Sequence, residues 1–386
     1  MAKGAYIGVN NVARKIKKGY IGVGGVARKI KKAYIGVGGV ARPFWSGGEF
    51  VYYGSVSSLS EAKSSCDNAG TTIGNYAIIA GGQLNDGYPT YTVEVYSTSL
   101  VRSTADMLSR SRIGIAAQTI GNYAICATGT QYSDPTNAVD FYDKSLVHTK
   151  STLPMNTGNP QGAATKTHAI FYAVQDSGGH GLVHCVFAYD ASLTLTRTNI
   201  NFAYNDSSGL TYDHMHSASV GDYSLFAGIN MAGTASVTYA YNSSLVLTKP
   251  TIMPDARSYI RGASTSNHAL FAGGSQYDAG DATYAYNSSL TLSSITGLYA
   301  KSTSMASTSL DGNAIFAGGN AVKEGYQYTV LSTDVIIYDA SLVRLEKLQL
   351  NTAKYNMTAV TVGNYAIFAA GRGSYLTDTA EAIALV

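Results

Sequence analysis

Two histidines in the run YDHMHS, at residues 212–217, have the spacing of side chains that share one face of a β-strand. His214 and His216 could therefore contact one metal ion, and His180 and His184 precede them in the chain. A zinc site requires three or four convergent ligands, which two alternating histidines do not supply. We therefore expect no resident metal or cofactor and interpret these histidines as polar lining of the fold.

Motifs typical of enzyme active sites are missing from the sequence. It contains no nucleophile elbow, no P-loop and no paired-carboxylate motif, and glycine-rich pieces such as GGSQYDAG lack the GK[ST] helix start of a phosphate cradle. The three cysteines, Cys66, Cys126 and Cys185, are too few and too widely spaced for a disulfide framework or a metal cluster. The sequence therefore favours a protein that is not an enzyme.

An apolar motif that begins with a tight turn recurs seven times along most of the chain. Its copies, such as GNYAIIAGG, SNHALFAGG and GNYAIFAAG, begin at residues 74, 121, 166, 221, 266, 311 and 363. Self-similarity at intervals of this length is typical of stacked supersecondary units. Only 13% of the residues are charged, and glycine and tyrosine are abundant, which favours β-strands over long amphipathic helices.

Each repeat predicts four antiparallel strands. A run of small residues such as GIAAQTI precedes the Gly-Asn turn, the apolar YAIFAGG run follows it, and strands such as VEVYSTSL and VHTKST complete the unit. Small residues suit the crowded first strands if seven units converge on one axis, and paired glycines permit close backbone approach. The last unit ends at AEAIALV, one strand short, and FVYYGSV near residue 50 can supply that strand.

These residues resemble the Kelch-type β-propellers. The resemblance rests on an apolar strand that ends in Gly-Gly, a following V-x-V-Y-D strand and a basic residue that opens the next first strand. The resemblance covers about residues 50–386, within a predicted domain of residues 46–386. It implies an all-β fold, a seven-bladed Kelch-like β-propeller closed by an N-terminal strand.

The register of the repeats predicts a ring of residues where the first strands begin. These positions lie nine residues before each motif and are Ser65, Arg112, Thr157, Tyr212, Arg257, Ser302 and Lys354. They can brace neighbouring units through backbone hydrogen bonds. Alternatively, Arg112, Tyr212, Arg257 and Lys354 can line a pocket for an anionic or hydroxyl-rich ligand.

Variable loops that follow the glycine pairs should lie at the same end of the sheets. Their tyrosines, asparagines and aspartates suit carbohydrate, because aromatic faces stack on sugar rings and polar groups bond to hydroxyls. The predicted stacking residues are Tyr88, Tyr132, Tyr277 and Tyr326.

Residues 1–45 form a basic arm built from three near-copies of one unit. Up to Trp45 there are ten lysines and arginines and no acidic residue, which leaves 17 basic and 24 acidic residues in the remainder. In each copy two β-prone segments flank Asn-Asn or Gly-Gly, which predicts hairpins at residues 5–16, 19–30 and 33–44, with a helix as the alternative. The predicted assembly residues are Arg14, Lys15, Lys17, Lys18, Arg28, Lys29, Lys31, Lys32 and Arg42.

The YIGV and VARKIKK segments are similar to short repeats at the beginnings of phage and prophage structural proteins. The resemblance implies a virion or phage-tail-like particle, made in a bacterial cytoplasm, in which the arm docks on other structural proteins and the protein is present in several copies. The propeller would then be displayed for binding, for example to a host-surface glycan or receptor.

Two other functions compete with this interpretation. The basic arm can neutralise the phosphates of a nucleic acid, although few aromatic residues are interleaved with its charges. A sugar-active enzyme rests on fold analogy alone. No stretch approaches the roughly 18 apolar residues of a membrane span, so we expect none.

Overall fold

In the residues that it describes, the computed structural model has β-strands as its regular structure. It describes residues 6–9, 12–15, 19–23, 26–30, 32–37, 40–46, 48–64, 68–132, 134–176, 182–204, 215–229, 235–255, 257–275, 280–322 and 329–386. Within these ranges there is no helix, and hence none with the length and apolarity needed to cross a membrane. The chain divides into two compact units, Met1–Tyr52 with Ile383–Val386, and Tyr53–Ala382.

Three two-stranded antiparallel sheets form the N-terminal part of the first unit. Their strands are β1 Tyr6–Val9, β2 Val12–Lys15, β3 Gly19–Val23, β4 Val26–Ile30, β5 Lys32–Val37 and β6 Val40–Ser46. The pairs end with Val9 opposite Val12, Val23 opposite Val26, and Val37 opposite Val40. The Asn-Asn and Gly-Gly dipeptides between these valines lie outside the described residues.

Strands β7 to β39 build the rest of the chain. The first of them are β7 Phe50–Val56, β8 Lys63–Ser64, β9 Gly70–Ile73, β10 Tyr76–Ala80, β11 Gln83–Leu84, β12 Val93–Ser97, β13 Arg102–Thr104, β14 Ala116–Ile120, β15 Tyr123–Ala127, β16 Thr130–Gln131, β17 Asp134–Asp143, β18 His148–Ala164, β19 His168–Asp176, β20 Leu182–Asp190 and β21 Leu195–Tyr204. The others are β22 His216–Val220, β23 Tyr223–Ile229, β24 Ser236–Asn242, β25 Leu247–Thr248, β26 Arg261–Ser264, β27 His268–Ala272, β28 Thr283–Asn287, β29 Leu292–Ile295, β30 Ser302–Thr303, β31 Ala306–Leu310, β32 Asn313–Ala317, β33 Asn320–Val322, β34 Thr329–Leu331, β35 Asp334–Tyr338, β36 Leu348–Gln349, β37 Thr358–Val362, β38 Tyr365–Ala369 and β39 Ala380–Leu385.

The larger sheets repeat one antiparallel order. Four of them run β9-β10-β12-β13, β22-β23-β24-β25, β26-β27-β28-β29 and β31-β32-β35-β36. A fifth runs β14-β15-β17-β18-β19-β20-β21, and its strand β18 pairs with β17 through residues up to Thr157 and with β19 from Gly158 onwards. The last runs β37-β38-β39-β7, so the strand near residue 50 takes the fourth place in it.

The second strand of each repeat forms the centre of the core. Ile78, Ile125, Leu270 and Ile367 on these strands are fully buried. Both faces of the strand are apolar, which is why it is covered on both sides, as the sequence predicts. In several repeats the third strand contributes a tyrosine whose hydroxyl donates to a carbonyl of the preceding connection, as Tyr142 Oη does to Asp106 O at 2.8 Å.

The paired glycines allow one repeat to contact the next through the backbone. Gly82 N donates to Arg112 O at 2.9 Å, and Gly319 N donates to Lys354 O at 2.8 Å. A Cβ on Gly319 would lie 2.4 Å from Thr303 O, and its φ is +90°. Only glycine fits this approach without displacement of the backbone.

Candidate binding surface

The first strands of the repeats contact one another in a closed order. Each of β9, β14, β18, β22, β26, β31 and β37 contacts the next, and β37 contacts β9. They surround a cavity of about 360 Å³, and none of the described residues that line it is an aspartate, glutamate, lysine or arginine. Its polar side chains bond to neighbouring strands, for example Gln118 Nε2 to Gly162 O at 2.8 Å and Ser307 Oγ to Gly262 O at 2.8 Å.

His216 lies on β22 beside this cavity and is buried. Its Nδ1 accepts a hydrogen bond from Gly262 N at 3.0 Å. Burial, together with the nearby Arg261 charge, lowers the pKa of His216 to about 3, so the ring is neutral. His214, the other half of the predicted pair, lies outside the described residues. Among the residues that the structure describes, no group of three or more His, Cys, Asp or Glu side chains could hold a metal ion.

Arg112 is fully buried and bonds within its own repeat. Its Nη2 forms an ion pair with Asp140, and its Nη1 donates to Thr128 O at 3.1 Å and Ala138 O at 2.6 Å. Burial lowers the pKa of the guanidinium, and the Asp140 charge opposes that effect. These side-chain contacts lie within one repeat, whereas Arg112 O accepts from Gly82 N of the preceding repeat at 2.9 Å, a backbone bond of the kind that the bracing interpretation describes.

The other two predicted basic residues have separate partners. Lys354 is buried, and its Nζ donates to Thr379 O at 3.1 Å and Thr379 Oγ1 at 2.9 Å. Burial lowers the pKa of Lys354 to about 8. Arg257 Nη2 forms an ion pair with Asp255 at 2.8 Å, and its Nη1 donates to Gly273 O at 3.3 Å. Tyr212, predicted to join them, lies outside the described residues.

Counting along the sequence misplaced the ring position of the first repeat. Ser65 lies outside the described residues, and Lys63 occupies the place equivalent to Arg112. Ser64 pairs with Gln83 as Ile113 pairs with Thr130, each next to the basic residue. The first repeat has two additional residues before its motif, and the basic residue itself was the signal that could have revealed the shift.

Two of the predicted tyrosines meet on the loops of neighbouring repeats. Tyr88 is 54% exposed, Tyr132 is 62% exposed, and their ring centroids are 5.6 Å apart with edge-to-face geometry. The Tyr88 backbone is fixed, because its N–H bonds to Asp86 Oδ1 at 3.0 Å and its carbonyl accepts from Leu84 N at 2.8 Å. Tyr277 and Tyr326 lie outside the described residues.

A cleft of about 370 Å³ adjoins the Tyr88 loop. It is lined by Ser64, Gln83, Leu84, Asn85, Gly87, Arg372, Ser374, Tyr375 and Leu376. Neither Arg372 nor Tyr375 is among the residues predicted from the sequence. The position of the run GRGSYL could have identified both residues, because it follows the seventh motif in the place where the other repeats carry their variable loops.

The predicted assembly residues of the basic arm lie mostly on its strands. Arg14 and Lys15 are on β2, Arg28 and Lys29 on β4, Lys32 on β5 and Arg42 on β6. Lys17, Lys18 and Lys31 lie outside the described residues.

Comparison with known proteins finds a similarity in fold but none in sequence. No protein-family model matches the chain, and no curated protein matches it in sequence. The solved structure of YjhT is similar with a TM-score of 0.51 and 12% identity, and the match covers 86% of this chain and 96% of that one. At this level of identity the similarity concerns the fold alone.

Proposed function

We propose that residues 46–386 form a seven-bladed β-propeller that binds a hydroxyl-rich ligand, such as a host-surface glycan, through loops at one end of its blades. The seven recurring motifs and the closed order of contacts among the first strands support seven blades. The N-terminal strand β7 would close the last blade, because it lies fourth in that sheet. Radial repetition of such sheets leaves only short edge strands and so provides a rigid support for loops.

The exposed pair of Tyr88 and Tyr132 beside a polar cleft carries this proposal. Aromatic faces bind the apolar faces of sugar rings, and polar groups nearby bond to the hydroxyls. The predicted ring of Arg112, Arg257 and Lys354 contributes less, because two of these side chains are buried and all three have internal partners. The activity proposed is binding without turnover.

The basic arm, residues 1–45, would dock this propeller on a phage or phage-tail-like particle. Its ten basic residues precede a remainder with an excess of acidic residues, and its short hairpins are typical of segments that need a partner for stability. Other virion or tail proteins would be the partners, in a multi-copy assembly. A chain without residues 1–45 should fold but fail to join particles, and normal incorporation of that chain would contradict the docking role.

A glycan-binding assay with tyrosine variants tests the binding function. The substitution Tyr88→Ala should weaken the binding of glycans found on an array by about fivefold, because an aromatic contact of this kind contributes on the order of 1 kcal/mol. Tyr53→Ala is a matched control, since Tyr53 is also 54% exposed and packs edge-to-face on Tyr365 at 5.0 Å. Equal effects of the two substitutions, or no glycan bound by the unaltered protein, would contradict the proposal.

A further inference from the structure

The cleft beside Tyr88 is built from two loops whose backbones are fixed. One wall is residues 83–89, where Gly87 N donates to Leu84 O at 3.0 Å and Gln83 Nε2 donates to Gly87 O at 3.2 Å. The other wall is residues 371–377, where Gly373 N donates to Tyr375 O and Thr377 N donates to Gly371 O, at 3.0 and 3.1 Å. A ligand would therefore meet preformed walls and would cost little ordering of the loops.

The strand pair beneath the cleft joins the two walls. Gly371 N donates to Lys63 O at 2.8 Å, and the neighbouring Ser64 pairs with Gln83. The walls come from the first and seventh repeats, which are nearly 300 residues apart in the sequence. Their relative positions are set by β-bridges rather than by side chains in the cleft, so those side chains can be changed with little effect on the fold.

Arg372 places a positive charge in this cleft. Arg102, Arg112 and Arg257 each pair with a carboxylate, but Arg372 has no such partner among the described residues. The lining contains no Asp or Glu among the residues that the structure describes. The Arg372 backbone bonds to Tyr355 through both its N–H and its carbonyl, which fixes the position of the residue, and its exposed side chain can reach an anion in the cleft.

The rest of the lining favours a ring that carries hydroxyls over a bare anion. Tyr375 is 82% exposed, and Asn85 and Ser374 add an amide and a hydroxyl. A guanidinium pairs with a carboxylate through two parallel hydrogen bonds, and an aromatic face stacks on a sugar ring. A volume of about 370 Å³ is in the range of small-ligand clefts.

We propose that this cleft binds an acidic sugar residue, with Arg372 on its carboxylate and Tyr375 on its ring. The inference rests on the proposed glycan-binding function and adds the charge of the ligand and the residue that recognises it. The anionic residue would sit in the cleft, and the neighbouring sugars would contact Tyr88 and Tyr132.

The test compares an oligosaccharide that contains uronic acid with the same oligosaccharide after its carboxylates have been reduced to alcohols. Calorimetric titration of the full-length protein should show at least about tenfold tighter binding of the acidic form, since charge-assisted hydrogen bonds are among the stronger ones. Arg372→Gln should remove this preference and leave the binding of the neutral form unchanged. Lys144→Gln is the control, because Lys144 is exposed and packs beside the Gly74 turn, away from the cleft.

The outcomes separate the two proposals. Equal binding of both forms, unaffected by Arg372→Gln but weakened by Tyr88→Ala, would overturn the acidic-sugar inference and leave glycan binding in place. Absence of binding by either form, with no glycan found on the array, would overturn both. Inorganic phosphate that competes as strongly as the uronic acid would overturn the role of the sugar ring.

Discussion

Arg112 and Arg257 occupy equivalent positions in two repeats, yet their ion pairs differ in exposure to water. The Arg112–Asp140 pair is fully buried, and His148 Nε2 and Ser109 N also bond to Asp140 at 2.8 Å. In the pair of Arg257 with Asp255, the carboxylate is 47% exposed. Buried charges without partners cost far more free energy than exposed ones, so the two pairs should respond differently to loss of the arginine.

Arg112→Gln should lower the free energy of unfolding by about 3–5 kcal/mol, because Asp140 would keep a buried charge without its main partner. Arg257→Gln should cost about 1 kcal/mol or less. Urea unfolding of both variants measures the difference. Equal losses would show that burial of the Arg112 pair does not determine its contribution.

His216 should make stability fall in mild acid. Its pKa is about 3 in the folded protein and about 6.5 in an unfolded chain, so between these values the unfolded chain binds more protons. The free energy of unfolding should therefore decrease as pH falls from 6.5 towards 4. His216→Gln removes this contribution, and its stability should approach that of the unaltered protein as pH falls. Parallel curves across this window would contradict the neutral, buried state of His216.

At the scale of elements, the turn between the third and fourth strands contains a leucine with a positive φ in six repeats. Leu100, Leu146, Leu193, Leu245, Leu290 and Leu342 all have φ between 59° and 64°. Leucine is disfavoured in this conformation, so the turn needs other stabilisation. In the second repeat Asp143 Oδ1 supplies it, by accepting from Ser145 N at 2.7 Å and Val147 N at 3.0 Å.

Asp143→Ala should lower the melting temperature, with a loss of roughly 1–2 kcal/mol, because both N–H groups lose their acceptor. Asp143→Asn should be nearly neutral. Two other repeats provide the precedent, since Asn242 and Asn287 make the same two bonds through Oδ1. A loss of similar size in both variants would show that the charge, and not the hydrogen bonds, stabilises the turn.

At the scale of the whole molecule, the structural role of β7 can be tested by comparing a truncation that keeps this strand with one that removes it. Removal of residues 1–46 leaves β7 in the last sheet, so the remaining chain should unfold cooperatively with an unchanged melting temperature. Removal of residues 1–56 deletes β7 and leaves β39 as an unpaired edge, which should lower the melting temperature and promote aggregation. Calorimetry and light scattering measure both effects, and equal behaviour of the two truncations would contradict a structural role for β7.

The sequence predicted the local features of this fold well. The apolar motif marks the second strands, such as β10 and β38, and small residues mark the first strands. These features depend on the alternation of side chains and on the φ angles that turns permit, which are properties of a few adjacent residues. The seven blades and their glycan remain proposals, as do the arm's docking and the particle.

Contacts between distant residues could be decided only by the tertiary structure. Arg112 has the same position in its repeat as Arg257, but three acceptors, Thr128 O, Ala138 O and Asp140, converge on it and remove it from the surface. The cleft of Arg372 and Tyr375 exists because β-bridges bring the loops of the first and seventh repeats together. Sequence alone determined the repeats and their strands, whereas contacts between residues distant in the chain decided which polar side chains are buried and which are exposed in a cleft.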